Sequence, residues 1–169
     1  MTALNEVHCP VVAKVRGAAM GGALGLIACC DVVVAAVGTR FCFSEVRLGL
    51  VPAVISSFVL PKVGMSAARR YFLSAEIFDS AEAWRLGLVH QVVEPADLDA
   101  QVQGLAARFQ QNGPQAVAHA KRLLRDLDGM PLGPRIEATV EAIAARRVEP
   151  EAQEGMRAFL EKRPPKWLP

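Results

Sequence analysis

Little in this 169-residue chain speaks for a metal, a disulfide framework, a membrane span or a polyanionic partner. The four cysteines, Cys9, Cys29, Cys30 and Cys42, show neither a CxxC pair nor a Cys/His metal spacing. Cys29 and Cys30 are neighbours in an apolar run, where buried thiols behave as small hydrophobes. Reduced thiols of this kind point to an intracellular compartment. His8, His90 and His119 are scattered, so no metal is expected. Residues 17–30 carry no charge but fall short of the about 20 apolar residues that cross a bilayer. They predict a buried helix. No signal-peptide pattern opens the chain, and a cytoplasmic protein is expected. The formal net charge of +2 is too small to argue for nucleic acid or an anionic membrane. The basic cluster Lys121, Arg122 and Arg125 has helical spacing and reads as a solvated helix face rather than an RNA contact.

What is present is a globular composition, 52% hydrophobic and 21% charged, in a chain long enough to bury a substantial core. Its most informative stretch is residues 17–52. A glycine-rich run, Gly17-Ala18-Ala19-Met20-Gly21-Gly22, enters an apolar helix. The strand Val32–Ala35 follows, and Ser44-Glu45-Val46-Arg47-Leu48-Gly49-Leu50-Val51-Pro52 forms the next turn. A Gly-Gly step lets backbone N–H groups approach a ligand without interference from a Cβ. A carboxylate opposite such donors acts as a base toward a substrate whose carbonyl is polarised, which suits enolate chemistry. Plainer readings exist for both features. Gly21-Gly22 also permits close helix–strand packing, and Ser44-Glu45 also reads as a helix cap with an acid in the first turn.

Along the chain, residues 1–9 read as a helix tail or a loop, and Val11–Val15 as a short strand between Pro10 and Gly17. Gly17–Gly22 reads as a turn and helix start, and Asp31–Ala36 as a strand. Residues 53–64 read as a helix up to Pro61, in which Ile55, Ser56 and Phe58 are candidates to line an apolar pocket. Ser56 or Ser57 alternatively bonds to backbone. Met65–Ser74 and Asp79–Gly87 read as capped helices, and Leu88–Val93 as a strand. From residue 96 the period is helical. Leu98, Val102, Leu105 and Phe109 form one stripe, Val117, Ala120, Leu124 and Leu127 a second, and Ile136, Val140, Ile143 and Arg147 a third. The expected division is therefore near Glu94-Pro95, into residues 1–94 and 95–169.

Both the Gly-Ala-Ala-Met-Gly-Gly-Ala run and Ser44–Pro52 resemble the enoyl-CoA hydratase/isomerase (crotonase) superfamily, and the likeness extends to the C-terminus. The resemblance implies an α/β fold: the C-terminal part of a spiral core of ββα units, then a helical trimerisation region. The N-terminal part of that core is expected to be missing. By the same resemblance the Gly22 amide is one of two oxyanion donors, the other lying in the missing part, and Glu45 is the catalytic carboxylate. Gly25 stands where many hydratases of the family carry a second glutamate. It reads either as decay or as room for a larger, branched acyl group. Gly21, Gly25, Ile55, Ser56 and Phe58 are the expected substrate pocket, and Phe159 and Lys162 the coenzyme A contacts. Lys162-Arg163 also suits a helix C-terminus.

The block AARRYFLSAEIFDSAEAWRLGLVHQVV resembles bacterial 3-methylglutaconyl-CoA and isohexenylglutaconyl-CoA hydratases. The implied reaction is hydration of a branched α,β-unsaturated acyl-CoA, with no cofactor beyond the coenzyme A of the substrate. A double-bond isomerase and a non-catalytic acyl-CoA-binding or assembly protein are the alternatives. A homotrimer or hexamer is expected, with neither nucleic acid nor membrane as partner.

Overall fold

A computed structural model describes residues 1–168. After a short helix α1 (Thr2–Glu6), the chain runs twice through the same unit of two strands and a helix. The first is β1 (Val12–Val15), β2 (Ala18–Met20) and α2 (Gly22–Ala28). The second is β3 (Val32–Ala36), β4 (Arg40–Cys42), a 3-10 turn at Glu45–Leu48 and α3 (Ala53–Ser74). The second unit lies in register on the first. β1 pairs in parallel with β3, Val12 opposite Val32, and β2 pairs in parallel with β4, Ala18 opposite Arg40. β5 (Phe78–Asp79) then joins β4 in antiparallel fashion. α4 (Ser80–Arg85) leads to β6 (Gln91–Val93), which lies parallel to β3. The two three-stranded sheets have the orders β1-β3-β6 and β2-β4-β5. Among the described residues, the outer edge of β1 has no strand partner.

The position of β3 explains its composition. A central strand of a parallel sheet is covered on both faces, so it reads as a continuous run of small and β-branched residues. Val33, Val34 and Ala35 are fully buried. Beside them is an aromatic cluster in which Tyr71 lies 4.5 Å from Phe78 and Phe43 lies 4.7 Å from Phe72, centroid to centroid. His90 extends the β3–β6 ladder by one residue. Its N–H donates to Val33 O, and its Nδ1 accepts from the Val33 N–H at 2.9 Å. That geometry requires a neutral ring with its proton on Nε2. Burial, aided by the charge of Lys62, holds the His90 pKa below its usual value.

Several expected boundaries moved. Gly17–Gly22 is not a bare turn, because Ala18–Met20 forms β2 on β4. Three small or flexible side chains carry no strand signal, and the parallel partner supplies it. The helix expected to stop at Pro61 continues past it and breaks at Gly64, whose φ of 73° is non-helical. Of Leu88–Val93 only Gln91–Val93 pairs as a strand, while Leu88 and Val89 are buried side chains in the preceding turn.

The chain divides into two compact units, one of residues 1–5 and 11–104, the other of residues 6–10 and the chain from Leu105 onward. The division runs through α5 (Leu98–Gln110), after the expected Glu94-Pro95, because Leu98 at the start of that helix is buried. The second unit contains α6 (Pro114–Asp126), α7 (Leu132–Arg147) and α8 (Pro150–Leu160). Glu151 ties it together. Its carboxylate accepts from the Gln115 and Ala116 N–H groups at the start of α6, at 2.9 and 2.7 Å. It also pairs with Arg146 at 2.6 Å. Carboxylates are favoured at such a helix start, where unpaired amides point outward. In the basic cluster, Arg122 pairs with Asp126, and Lys121 donates to Cys9 O. The third stripe is exposed, with Ile136, Val140 and Ile143 all more than half accessible.

α2 and α3 meet at Gly25. A Cβ built there falls 2.5 Å from Ile55 Cγ2 and 2.6 Å from Met1 Cε. The thioether of Met1 can swing away, but the branch methyl of the buried Ile55 has little freedom. Gly25→Ala is therefore expected to lower stability by about 1–2 kcal/mol in denaturant unfolding, overpacking outweighing the gain in helix propensity. Gly104→Ala in α5, where a Cβ meets nothing within 4 Å, should instead raise it slightly.

Tyr71, the only tyrosine, gives a second prediction. Its hydroxyl donates to Glu82 Oε1 at 2.6 Å, and Arg85 clamps the same carboxylate through two bonds of 2.6 Å. The Arg85 bonds, followed by the Tyr71 bond, hold the Glu82 carboxyl at about 2. Burial, and then the bond to Glu82, pushes Tyr71 up to about 12. Ultraviolet titration should place tyrosinate formation near that value in the native protein, and Glu82→Gln should bring it down. Because the Glu82 pKa is depressed on folding, its contribution is present above the ordinary carboxyl pKa. It is lost as pH falls from about 4.5 toward about 2, a window that acid unfolding should lack in Glu82→Gln.

Candidate active site

The site is made where β2 turns into α2. Gly21 takes up φ 53° and ψ −124°, a conformation open to glycine but strained for other residues. Its N–H donates to Cys42 O at 2.9 Å, which joins the end of β2 to the end of β4. The two residues after Phe43, Ser44 and Glu45, are thereby brought against Gly21. A Cβ built on Gly21 lies 3.2 Å from Ser44 Oγ and 3.7 Å from Glu45 Oε1. Gly22 opens α2, so its N–H has no acceptor within the helix, and a Cβ there meets nothing within 4 Å. The sequence-predicted pair Gly22 and Glu45 therefore sits on adjacent residues of one small constellation.

The turn carrying Glu45 is held from behind. Arg47 Nη2 donates to Ala75 O at 2.6 Å, and Cys42 Sγ reaches the same oxygen at 3.1 Å. The Leu50 N–H donates to Glu45 O at 3.1 Å. Glu45 Oε2 is buried and has no hydrogen-bond partner. A carboxylate oxygen left so is costly, and at a cleft it marks a place for a substrate atom or a water. The alternative reading of Ser44 as a cap does not hold, since its side chain makes no capping bond. The turn it precedes is a single 3-10 turn rather than an α-helix.

Gly25 differs from expectation. It does not leave an open space for a larger acyl group, because Ile55 and Met1 fill the position where a side chain would begin. A side chain at position 25 would have to displace Ile55 and Met1. Ile55 is buried against this spot, and Phe58 is half-buried against the core. Ser56 Oγ donates to Pro52 O at 2.5 Å, so the reading in which this hydroxyl serves the backbone is the one observed. Phe159 and Lys162 belong to the helical unit. Phe159 is 82% exposed at the end of α8, and Lys162 follows with φ 54°, its N–H donating to Phe159 O.

Two features escaped the sequence reading. The Met1 side chain against Gly25 had no local signal, since the two residues meet only through the fold. Ser44 has the sequence signature of a cap, and only its missing bond and its approach to Gly21 mark it out. Among the described residues, no three His, Cys, Asp or Glu side chains are grouped to hold a metal. No described helix is long and apolar enough to cross a membrane.

Known proteins place this arrangement. The sequence profile described as enoyl-CoA hydratase/isomerase matches residues 1–168. A crotonyl-CoA hydratase of Syntrophomonas wolfei is 33% identical over 161 residues, covering 95% of this chain and 62% of that protein. A short-chain-enoyl-CoA hydratase of Clostridium acetobutylicum is 32% identical over the same length, with the same coverage. The crystal structure of an enoyl-CoA hydratase from Shewanella pealeana superposes with a TM-score of 0.93 at 46% identity, covering 98% of this chain and 62% of that one. The chain thus spans about three-fifths of the length of the relatives it matches. With the doubled ββα unit and the Gly21–Glu45 constellation, these likenesses show that the chain belongs to the enoyl-CoA hydratase/isomerase family.

Proposed function

We propose that this chain carries the catalytic carboxylate of an enoyl-CoA hydratase. The observation that carries the reading is Glu45, whose Oε1 faces Gly21 beside the Gly22 amide and whose Oε2 is buried without a partner. The thioester oxygen accepts from the Gly22 N–H. Glu45 takes a proton from water as the water oxygen bonds to C3 and the π pair moves toward the thioester oxygen. The enolate then takes that proton at C2, and Glu45 ends ionised as it began. A donor aimed at the developing oxyanion contributes about 10²–10³ in rate, and a positioned acid/base about 10²–10⁴. No cofactor enters beyond the coenzyme A of the substrate.

The resemblance of residues 67–93 to the 3-methylglutaconyl subgroup is the support for a branched, 3-methylglutaconyl-type acyl group in leucine or acyclic terpene breakdown, and the free cysteines are the support for a cytoplasmic setting. Phe159 and Lys162 are the proposed contacts of the coenzyme A moiety. The exposed Ile136, Val140 and Ile143 face of α7 supports assembly into a trimer or a dimer of trimers, in which that face is covered. Sedimentation equilibrium should then give a trimer or hexamer mass, and Ile143→Glu should shift it toward monomer.

The packing at Gly25 favours a second reading, a double-bond isomerase. With one carboxylate in the site, a proton moved from C2 to C4 by Glu45 needs no held water. The test is loss of enone absorbance when the chain meets 3-methylglutaconyl-CoA, with crotonyl-CoA alongside. Hydration consumes the enone, and Glu45→Gln should slow it by about 10²–10⁴. Conversion of a β,γ-enoyl thioester to the conjugated one, without hydration, would identify the isomerase. Equal rates in the wild-type and Gln chains would refute a role for Glu45.

A further inference from the structure

A water that attacks C3 needs two hydrogen-bonding partners, one to take its proton and one to hold its other hydrogen so that a lone pair faces the carbon. Glu45 supplies the first. At the entry to α2 and within it, Gly21, Gly22 and Gly25 have no side chains to supply the second, and Ile55 and Met1 lie against the Cβ position of Gly25. The polar side-chain atom nearest the Cβ position of Gly21 is instead Ser44 Oγ, at 3.2 Å, against 3.7 Å for Glu45 Oε1. Ser44 is partly buried and makes no capping bond to the turn that it begins. Its hydroxyl is therefore not committed to holding that turn, and it converges with the catalytic carboxylate on the same point.

We infer that Ser44 is a second substrate-contacting residue of this site, its hydroxyl holding the water, and in the product the 3-hydroxyl group, that Glu45 deprotonates and reprotonates. This rests on the hydratase reading above. In the forward direction Ser44 Oγ accepts the hydrogen that stays on the water oxygen, while the other goes to Glu45 and then to C2. Ser44 keeps its own proton throughout, so no bond to Oγ is made or broken. The site then recognises a 3-hydroxyacyl thioester through adjacent residues of one turn, and a ligand lacking the hydroxyl forfeits one hydrogen bond.

The experiment compares equilibrium binding of 3-hydroxybutyryl-CoA and butyryl-CoA, which differ in that hydroxyl, to the full chain, Ser44→Ala and Ser44→Thr. The wild-type chain should prefer the hydroxylated ligand by roughly three- to tenfold, the usual range of one net hydrogen bond. Ser44→Ala should abolish the preference while leaving the butyryl-CoA affinity unchanged, and Ser44→Thr should restore it. A preference that survives in Ser44→Ala overturns the inference, as does a wild-type chain that binds both ligands equally. An Ala variant that fails to fold while the Thr variant folds would also overturn it, by showing the hydroxyl to be structural. A wild-type chain that binds neither thioester would refute the hydratase reading itself, and the inference with it.

Discussion

The site depends on the hydrogen bond from the Gly21 N–H to Cys42 O, made possible by a backbone conformation at Gly21 in which a Cβ would also press on Ser44 Oγ. Through it the ends of two parallel strands are joined, and the chain leaving each strand is set against the other. From β2 the chain enters α2 with the Gly22 amide unpaired. From β4 it enters the turn that carries Ser44 and Glu45. The other contacts of that turn, from Arg47 and Cys42 to Ala75 O, hold it in place from the far side. The chemistry is thus built on backbone geometry first and on side chains second, which accounts for the glycine content of the stretch.

The same construction explains how a short apolar helix can serve a polar site. One side of α2 is buried, with Leu24, Ile27 and Ala28 in the core. Its contact with α3 is close enough at Gly25 that a Cβ there would press on the side chains of Ile55 and Met1. Packing and chemistry are therefore coupled. The approach that stabilises the pair of helices also crowds position 25 and leaves Glu45 as the carboxylate that faces Gly21. Glu45 Oε2 is buried without a hydrogen-bond partner, a cost that a purely structural element has no reason to carry.

The helical unit follows a different logic. Charged side chains tie it together, with Glu151 bridging the start of α6 and Arg146, and Glu154 pairing with Arg163 after α8. Arg163 and a Lys166 N–H hold the Glu154 carboxyl at about 2. The apolar positions Ile136, Val140 and Ile143 of α7 stay exposed.

Much of this was legible from residues alone. β3 announced itself as a run of valines because a strand covered on both faces must be apolar, and the helical period after residue 96 showed because each helix has one buried or exposed stripe to encode. The Gly21-Gly22 step and Ser44-Glu45 were visible as a pair of turns, but taken alone each also read as packing or as a helix cap, and only the family resemblance singled out Gly22 and Glu45. What the sequence could not determine was whatever depends on partners distant along the chain. Strand β2 exists because β4 lies beside it, not because Ala18-Ala19-Met20 prefers extension. Gly25 is tight rather than roomy because Ile55 and Met1 arrive there from other elements. Ser44 looks like a cap in one dimension, and only the fold turns its hydroxyl toward Gly21. Local pattern encodes which face of an element is apolar; which atoms fill the space opposite that face is decided when the elements pack.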